Sequence, residues 1–276
     1  MDPIPDYEAF EQHDVLISGW RVHYVDTGAG PPVVMVHGSP ISSFAFRQQI
    51  AALAPRFRVV APDLLGFGRS EGPGEGASFP QQADMLCALL DHLALGAFRL
   101  VVHDWGGPIG LGCAVQRLDE ISQLVLINTT LLVDFKPPRY WKPFTLRGLG
   151  DLLLVRANLF SRGLPFLLRS ARSPQVRQAY AQPLQARGLR RTILALERLE
   201  GFAGLMEKVA AELPRLAQLP TLIIWGHPDP YFRPRELERL KGMFPAALVR
   251  EIPGGGHFPQ EDAPEAVTAA LLDFLD

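Results

Sequence analysis

Three residues in chain order, Asp104, Asp229 and His257, have the types that hydrolysis through a covalent intermediate needs. A carboxylate is ionised at neutral pH, so it attacks without help from a base, whereas activating a water calls for a group whose pKa lies near the working pH, such as imidazole. A second carboxylate that accepts a hydrogen bond from the imidazole fixes its tautomer and orientation. Asp104 lies in Val102-His103-Asp104-Trp105-Gly106-Gly107, where an apolar run enters two glycines that permit a tight strand-to-helix turn exposing one side chain. Asp229 ends Trp225-Gly226-His227-Pro228-Asp229, and His257 lies in Gly254-Gly255-Gly256-His257-Phe258-Pro259. Singly, each has a plainer explanation: Asp104 as a helix N-cap, Asp229 as a turn former, His257 as an incidental loop residue. Occurring together in that order, each after an apolar run, they make a candidate nucleophile, orienting acid and general base.

The elements that must position them follow from the pattern of apolar runs. Asp14 to Asp26 reads as two short strands around the turn Ser18–Gly19. Val33-Val34-Met35-Val36, Arg58-Val59-Val60-Ala61, Leu100-Val101-Val102, Leu124-Val125-Leu126-Ile127 and Leu222-Ile223-Ile224 are continuous apolar runs, as expected of parallel strands covered on both faces. Helix-length stretches near 43–54, 80–95 and 106–118 alternate with them, and Ala247–Ile252 gives a last strand before a terminal helix, Pro264 to Leu275. This predicts an α/β fold with a mostly parallel central sheet flanked by helices. Between residues 131 and 215 the alternation stops, and helical stretches such as Leu152 to Leu168 and Leu189 to Leu199 follow one another. The expected organisation is a core of residues 1–130 and 216–276 interrupted by a helical cap, 131–215. In such sheets ligands bind beyond the carboxyl ends of the strands, where Asp104, Asn128, Asp229 and His257 all fall.

His37-Gly38-Ser39-Pro40 ends the Val33–Val36 strand, where the backbone N–H of Ser39, with that of Trp105, is placed to stabilise an oxyanion; such a donor lowers a barrier by ~3 kcal/mol. His37 itself reads as a structural loop histidine, and Asp63, after Pro62, as part of a structural turn.

The bulk composition narrows the partners. The chain has 276 residues, 47% of them hydrophobic, and 27 basic against 29 acidic groups for a net charge of −2. That length and apolar content suit one large core, and the charge offers no basic stripe for nucleic acid. Cys87 and Cys113 lie apart in apolar segments without metal-ligand spacing, which predicts neither a disulfide nor a zinc site and favours a reducing, cytoplasmic setting. No basic-then-apolar leader and no run near the ~20 residues of a spanning helix is present, so no membrane association is expected. The partners expected are a small apolar substrate and water, with the protein a monomer or homodimer.

Four motifs, His37-Gly38-Ser39-Pro40 with Ser42-Ser43-Phe44, Pro62-Asp63-Leu64-Leu65-Gly66-Phe67-Gly68-Arg69-Ser70, His103-Asp104-Trp105-Gly106-Gly107 and Gly256-His257-Phe258, together resemble the haloalkane dehalogenase family of the α/β-hydrolase superfold. The likeness runs from about residue 14 to the C-terminus, and epoxide hydrolases share its main motifs. It implies that Asp104 attacks a saturated carbon to form an alkyl ester, which a water activated by His257 hydrolyses. It implies hydrolytic dehalogenation of haloalkanes, without metal or organic cofactor; epoxide hydrolysis, ester or lactone hydrolysis, and non-enzymatic ligand binding are the alternatives. Trp105 would donate its indole N–H to the leaving halide. The family's second donor is an asparagine after the His-Gly pair or a cap tryptophan; here Ser39 stands at the first place, and Trp141 is the only cap tryptophan. Asn128 occupies one of two places the family uses for its acid, but an amide carries no charge, which leaves Asp229. Tyr140 and Tyr180 are the cap tyrosines that an epoxide-opening site would use. Arg187, Arg190 and Arg191 are expected to face water, and Phe135, Phe144, Phe160 and Phe166 to favour an apolar access channel.

Overall fold

The computed structural model describes residues 7–159, 161 and 174–276. Eight strands form one sheet: β1 (Gln12–Ile17), β2 (Trp20–Thr27), β3 (Pro32–Val36), β4 (Arg58–Pro62), β5 (Phe98–Asp104), β6 (Ile121–Thr129), β7 (Thr221–His227) and β8 (Leu248–Pro253). Their order is β1-β2-β4-β3-β5-β6-β7-β8. The β1–β2 hairpin turns at Ser18–Gly19, β2 pairs antiparallel with β4, and every later pair is parallel. The continuous apolar runs have the cause the sequence predicts. Along β3, Val34 and Val36 pack into one hydrophobic cluster while Val33 and Met35 pack into the other, so both faces are dry.

Helices α1 (Arg47–Leu53), α2 (Phe79–Leu93) and α3 (Gly106–Ala114) connect the early parallel strands. Between β6 and β7 lie short helical turns, a six-residue π-helix (Asp151–Arg156), α4 (Pro174–Ala181), α5 (Arg187–Glu197) and α6 (Phe202–Ala211), and this stretch contains no strand among the described residues. Helices α7 (Pro234–Met243) and α8 (Pro264–Leu275) complete the fold. α5 is amphipathic, with Leu189, Ile193 and Leu196 buried on one face.

One expectation needs correction. Cys87 on α2 and Cys113 on α3 are joined by a disulfide, their Cα atoms 5.4 Å apart. A separation of 26 residues hid the pairing, because only the side-by-side packing of α2 and α3 brings the cysteines together. The inference of a reducing setting drawn from them therefore lapses. The helical stretch read from Leu152 to Leu168 is represented by the π-helix at its start, and its remainder lies largely outside the described residues, as do Phe160 and Phe166.

Candidate active site

Asp104 ends β5 at φ 53°, a left-handed conformation that costs a non-glycine residue of order 1–3 kcal/mol. Its surroundings hold it there. The Thr129 hydroxyl donates to the Asp104 carbonyl at 2.6 Å. Gly106 presses against β3 so closely that a Cβ would lie 2.3 Å from the Val36 carbonyl oxygen, and a Cβ on Gly38 would lie 2.1 Å from Asp104 Oδ1. These glycines let the β3 loop and the β5–α3 turn meet, which lifts the carboxylate above the strand ends.

The carboxylate has two distinct oxygens. Oδ1 accepts the backbone N–H of Ser39 at 2.7 Å, and Oδ2 lies 3.5 Å from His257 Nε2. On the far side of the ring, His257 Nδ1 donates to Asp229 Oδ2 at 2.9 Å. Asp229 is saturated with donors: Oδ2 also accepts from Asn128 Nδ2 at 2.8 Å, and Oδ1 accepts from the backbone N–H groups of Tyr231 and Phe232 at 2.7 and 3.0 Å. Burial would raise the Asp229 pKa, but His257 and these hydrogen bonds outweigh it and hold the carboxyl below its ordinary value. Burial likewise opposes charge on His257, yet Asp229 and Asp104 together push its pKa up to about 10. With Asp104 ionised, the ring is an imidazolium clamped between two carboxylates.

Neighbouring groups fix the backbone. His103 donates from Nε2 to the His257 carbonyl at 2.9 Å, and burial lowers its pKa to about 4, so it stays neutral. Asn128, next to last in β6, has φ 31° and also accepts the Gly226 N–H at 2.7 Å, so it ties β6 to β7 beneath Asp229. It therefore holds the Asp229 carboxylate in place. His37 accepts the Leu64 N–H on Nε2 and faces the Gly38 carbonyl with Nδ1, and burial lowers its pKa. Asp63 accepts from Ser43 and Arg69. Both are loop struts.

Asp104 and His257 open into a cavity of about 170 Å³ lined also by Ser39, Tyr140, Trp141, Glu197, Tyr231 and Phe258. The indole of Trp105 stands at its side, edge-on to Phe79, Phe135, Tyr231 and Phe232. The indole N–H of Trp105 donates to Glu197 Oε1 at 3.3 Å, and that of Trp141 to Glu197 Oε2 at 2.6 Å. The Tyr231 hydroxyl donates to Oε2 at 2.8 Å. Two tryptophans from distant parts of the chain thus converge on one carboxylate at the end of α5.

Glu197 was not among the residues singled out from sequence, although a signal was there: it lies four residues after Ile193 on the apolar face of α5, where carboxylates are rare. Tyr231, two residues after Asp229, carries no comparable mark. Tyr180 is placed elsewhere. Its hydroxyl donates to Glu261 Oε2 at 2.6 Å, beside the bidentate Arg47–Glu261 pair at 2.6 and 2.8 Å, because the buried guanidinium and carboxylate form a polar knot that draws in the phenol. Tyr140 is at the cavity, with its hydroxyl bonded to the Pro230 carbonyl. Phe135 packs on Trp105, and Phe144 on Trp141. None of Arg187, Arg190 and Arg191 lines the cavity.

A sheet with this strand order, carrying an acid at the β5–α3 turn and a histidine after β8, defines an α/β hydrolase, and residues 31–264 match the profile of the alpha/beta hydrolase fold family. Over 286 aligned positions the chain is 35% identical to haloalkane dehalogenase 2 of Mycobacterium tuberculosis, spanning 98% of this chain and 97% of that relative. It is 34% identical to cis-3-alkyl-4-alkyloxetan-2-one decarboxylase of Shewanella oneidensis, over 96% of this chain and 88% of the relative. The crystal structure of haloalkane dehalogenase DbeA from Bradyrhizobium elkani USDA94 superposes with a TM-score of 0.84 at 26% identity, covering 96% of this chain and 97% of the other. The chain belongs to the haloalkane dehalogenase family of the α/β-hydrolase fold.

Proposed function

We propose that this protein hydrolyses small apolar haloalkanes to alcohol and halide through an alkyl ester on Asp104. Asp104 Oδ2 attacks the halogen-bearing carbon from behind, the carbon–halogen bond breaks, and the ester carbonyl is built on Oδ1. Esterification removes the Asp104 charge that helped hold His257 protonated, so the ring gives up its proton and becomes a base. It then takes a proton from water attacking Cγ. The Ser39 N–H, already 2.7 Å from Oδ1, and the Trp105 N–H stabilise the oxyanion that develops there. Asp229, held by Asn128, keeps the ring's Nδ1 as the donor. Cγ–Oδ2 cleavage releases the alcohol as its oxygen takes the proton from His257, and the acid proton left on Asp104 is lost as the carboxylate re-forms.

The observation that carries this reading is the division of the nucleophile's two oxygens. One is held by a backbone donor, and the other lies beside the base at a cavity whose lining is mostly apolar. The indoles of Trp105 and Trp141, which donate to Glu197 in this structure, become the donors for the departing halide where it displaces that carboxyl. The Ser39 hydroxyl, buried and without a hydrogen bond among the described residues, is a further donor where the family has an amide. The helices between β6 and β7 act as a cap, supported by Trp141 and Glu197 closing the cavity over Asp104.

The test is to incubate His257→Ala protein with short bromoalkanes, then measure intact mass and map the modified peptide. A stable alkyl adduct on Asp104 is expected. Unmodified protein, or an adduct elsewhere, would overturn the assignment.

A further inference from the structure

Glu197 stands where the reaction above needs donors. Both indole N–H groups point at it, and an indole N–H donates only once in a linear bond. An ionised carboxylate there satisfies the donors but repels a departing anion; a neutral carboxyl leaves a proton beside the leaving group. For a halide that proton has no use, since a halide departs unprotonated. For oxygen leaving from carbon it is decisive, because an alkoxide is a poor leaving group until protonated.

We propose that Glu197 is a catalytic acid that protonates an oxygen leaving group, giving this site a second activity, the opening of small strained cyclic ethers to diols. The proposal rests on Asp104 being the nucleophile. Asp104 Oδ2 bonds to the less hindered ring carbon, that C–O bond breaks, and the released oxygen takes the Glu197 proton. Water then attacks Cγ and gives one proton to His257; Cγ–Oδ2 breaks and that proton passes to the second hydroxyl. The remaining proton leaves Asp104 as its carboxylate re-forms, and Glu197 is reprotonated from solvent. No oxidant or cofactor enters, and the sum is ether plus water to diol.

The surroundings of Glu197 suit this cycle. It is 4% exposed, and burial, with Asp104 adding to it, raises its pKa to about 7 against the opposing bonds from Tyr231, Trp105 and Trp141. After donation the carboxylate is held by those same three donors. The charged groups sharing its cavity are Asp104 and His257. Behind it lies a second cleft carrying Lys136, Arg139, Lys142 and Arg198, which opens a path for proton return. Arg198 itself is engaged with Asp151 and the carbonyls of Thr145 and Leu146. Both cap tyrosines spend their hydroxyl protons elsewhere: Tyr180 donates to Glu261, and Tyr140 to the Pro230 carbonyl.

The experiment compares the rate of Asp104 modification by a short terminal epoxide and by a short bromoalkane, using His257→Ala protein with and without Glu197→Gln. With epoxide, the rate is expected to fall about tenfold per pH unit above 7, and Glu197→Gln to lower it about 100-fold or more at pH 6. With bromoalkane, the rate should also decline above pH 7 as Glu197 ionises, and Glu197→Gln should abolish that decline. An epoxide rate that is flat with pH, or equal in the two proteins, overturns the proposal, as does a bromoalkane adduct with no epoxide adduct. Absence of any Asp104 adduct from either reagent overturns instead the nucleophile assignment beneath it. Should Glu197→Gln not fold, the epoxide pH profile of His257→Ala alone decides.

Discussion

The rim of the sheet and the helices between β6 and β7 build the same cavity by different means. Along the rim, Asp104, Asn128, Asp229 and His257 each follow a strand, and their side chains are fixed by backbone donors and left-handed residues. The inserted stretch contributes Trp141 and Glu197, which bond to each other, with Trp105 and Tyr231 also donating to Glu197. On the proposed mechanism the rim would set the covalent chemistry, and the inserted helices which leaving group departs and at what pH.

That contrast is sharpest in the nucleophile. Asp104→Ala is expected to abolish turnover, a loss of about 10⁵-fold or more, with no ester by intact mass. A variant retaining a tenth of the activity would show that the rim does not carry the chemistry. Asp229→Asn should slow ester hydrolysis about 10³- to 10⁴-fold while alkylation persists, seen as accumulated adduct in rapid-quench mass spectrometry. On the other side of the cavity, Trp141→Phe should cost only about 10- to 100-fold in kcat/KM with bromoalkanes, the value of one hydrogen bond to a developing anion. An effect as large as that of Asp104→Ala would erase the division of labour.

Stability separates the regions again. The Glu197 pKa is raised from 4.5 to about 7 in the fold, so the folded state holds the proton more tightly than the unfolded one. Its contribution is complete below pH ~4.5 and is lost as pH rises through ~7, about 3 kcal/mol in all. Urea midpoints should thus decline between pH 5 and 7.5 more steeply in the native sequence than in Glu197→Gln; parallel profiles would remove the buried acid from the account. Smallest of all, Tyr180→Phe should lower unfolding free energy by about 1–2 kcal/mol through the lost bond to Glu261, with kcat changed less than twofold.

The same contrast explains what could be read from sequence. Asp104, Asp229 and His257 were visible because each follows or ends a strand of the sheet, and parallel strands deliver their carboxyl ends to one edge. Strand positions followed for the same reason, down to the terminal helix Pro264–Leu275. Glu197 and Trp141 belong to no such frame, and their meeting depends on how α5 rotates and packs. The Cys87–Cys113 bond and the removal of Tyr180 to Glu261 are likewise products of helix packing, which local spacing does not encode.

One consequence concerns the stability of the fold. Asp104 and Asn128 lie near the carboxyl ends of the paired strands β5 and β6 with φ of 53° and 31°, a backbone shape that glycine adopts without penalty. Replacing either by glycine relieves the backbone while deleting the nucleophile or the support of its acid. On the proposed mechanism the strained backbone at these two positions is a cost to stability that their chemistry requires.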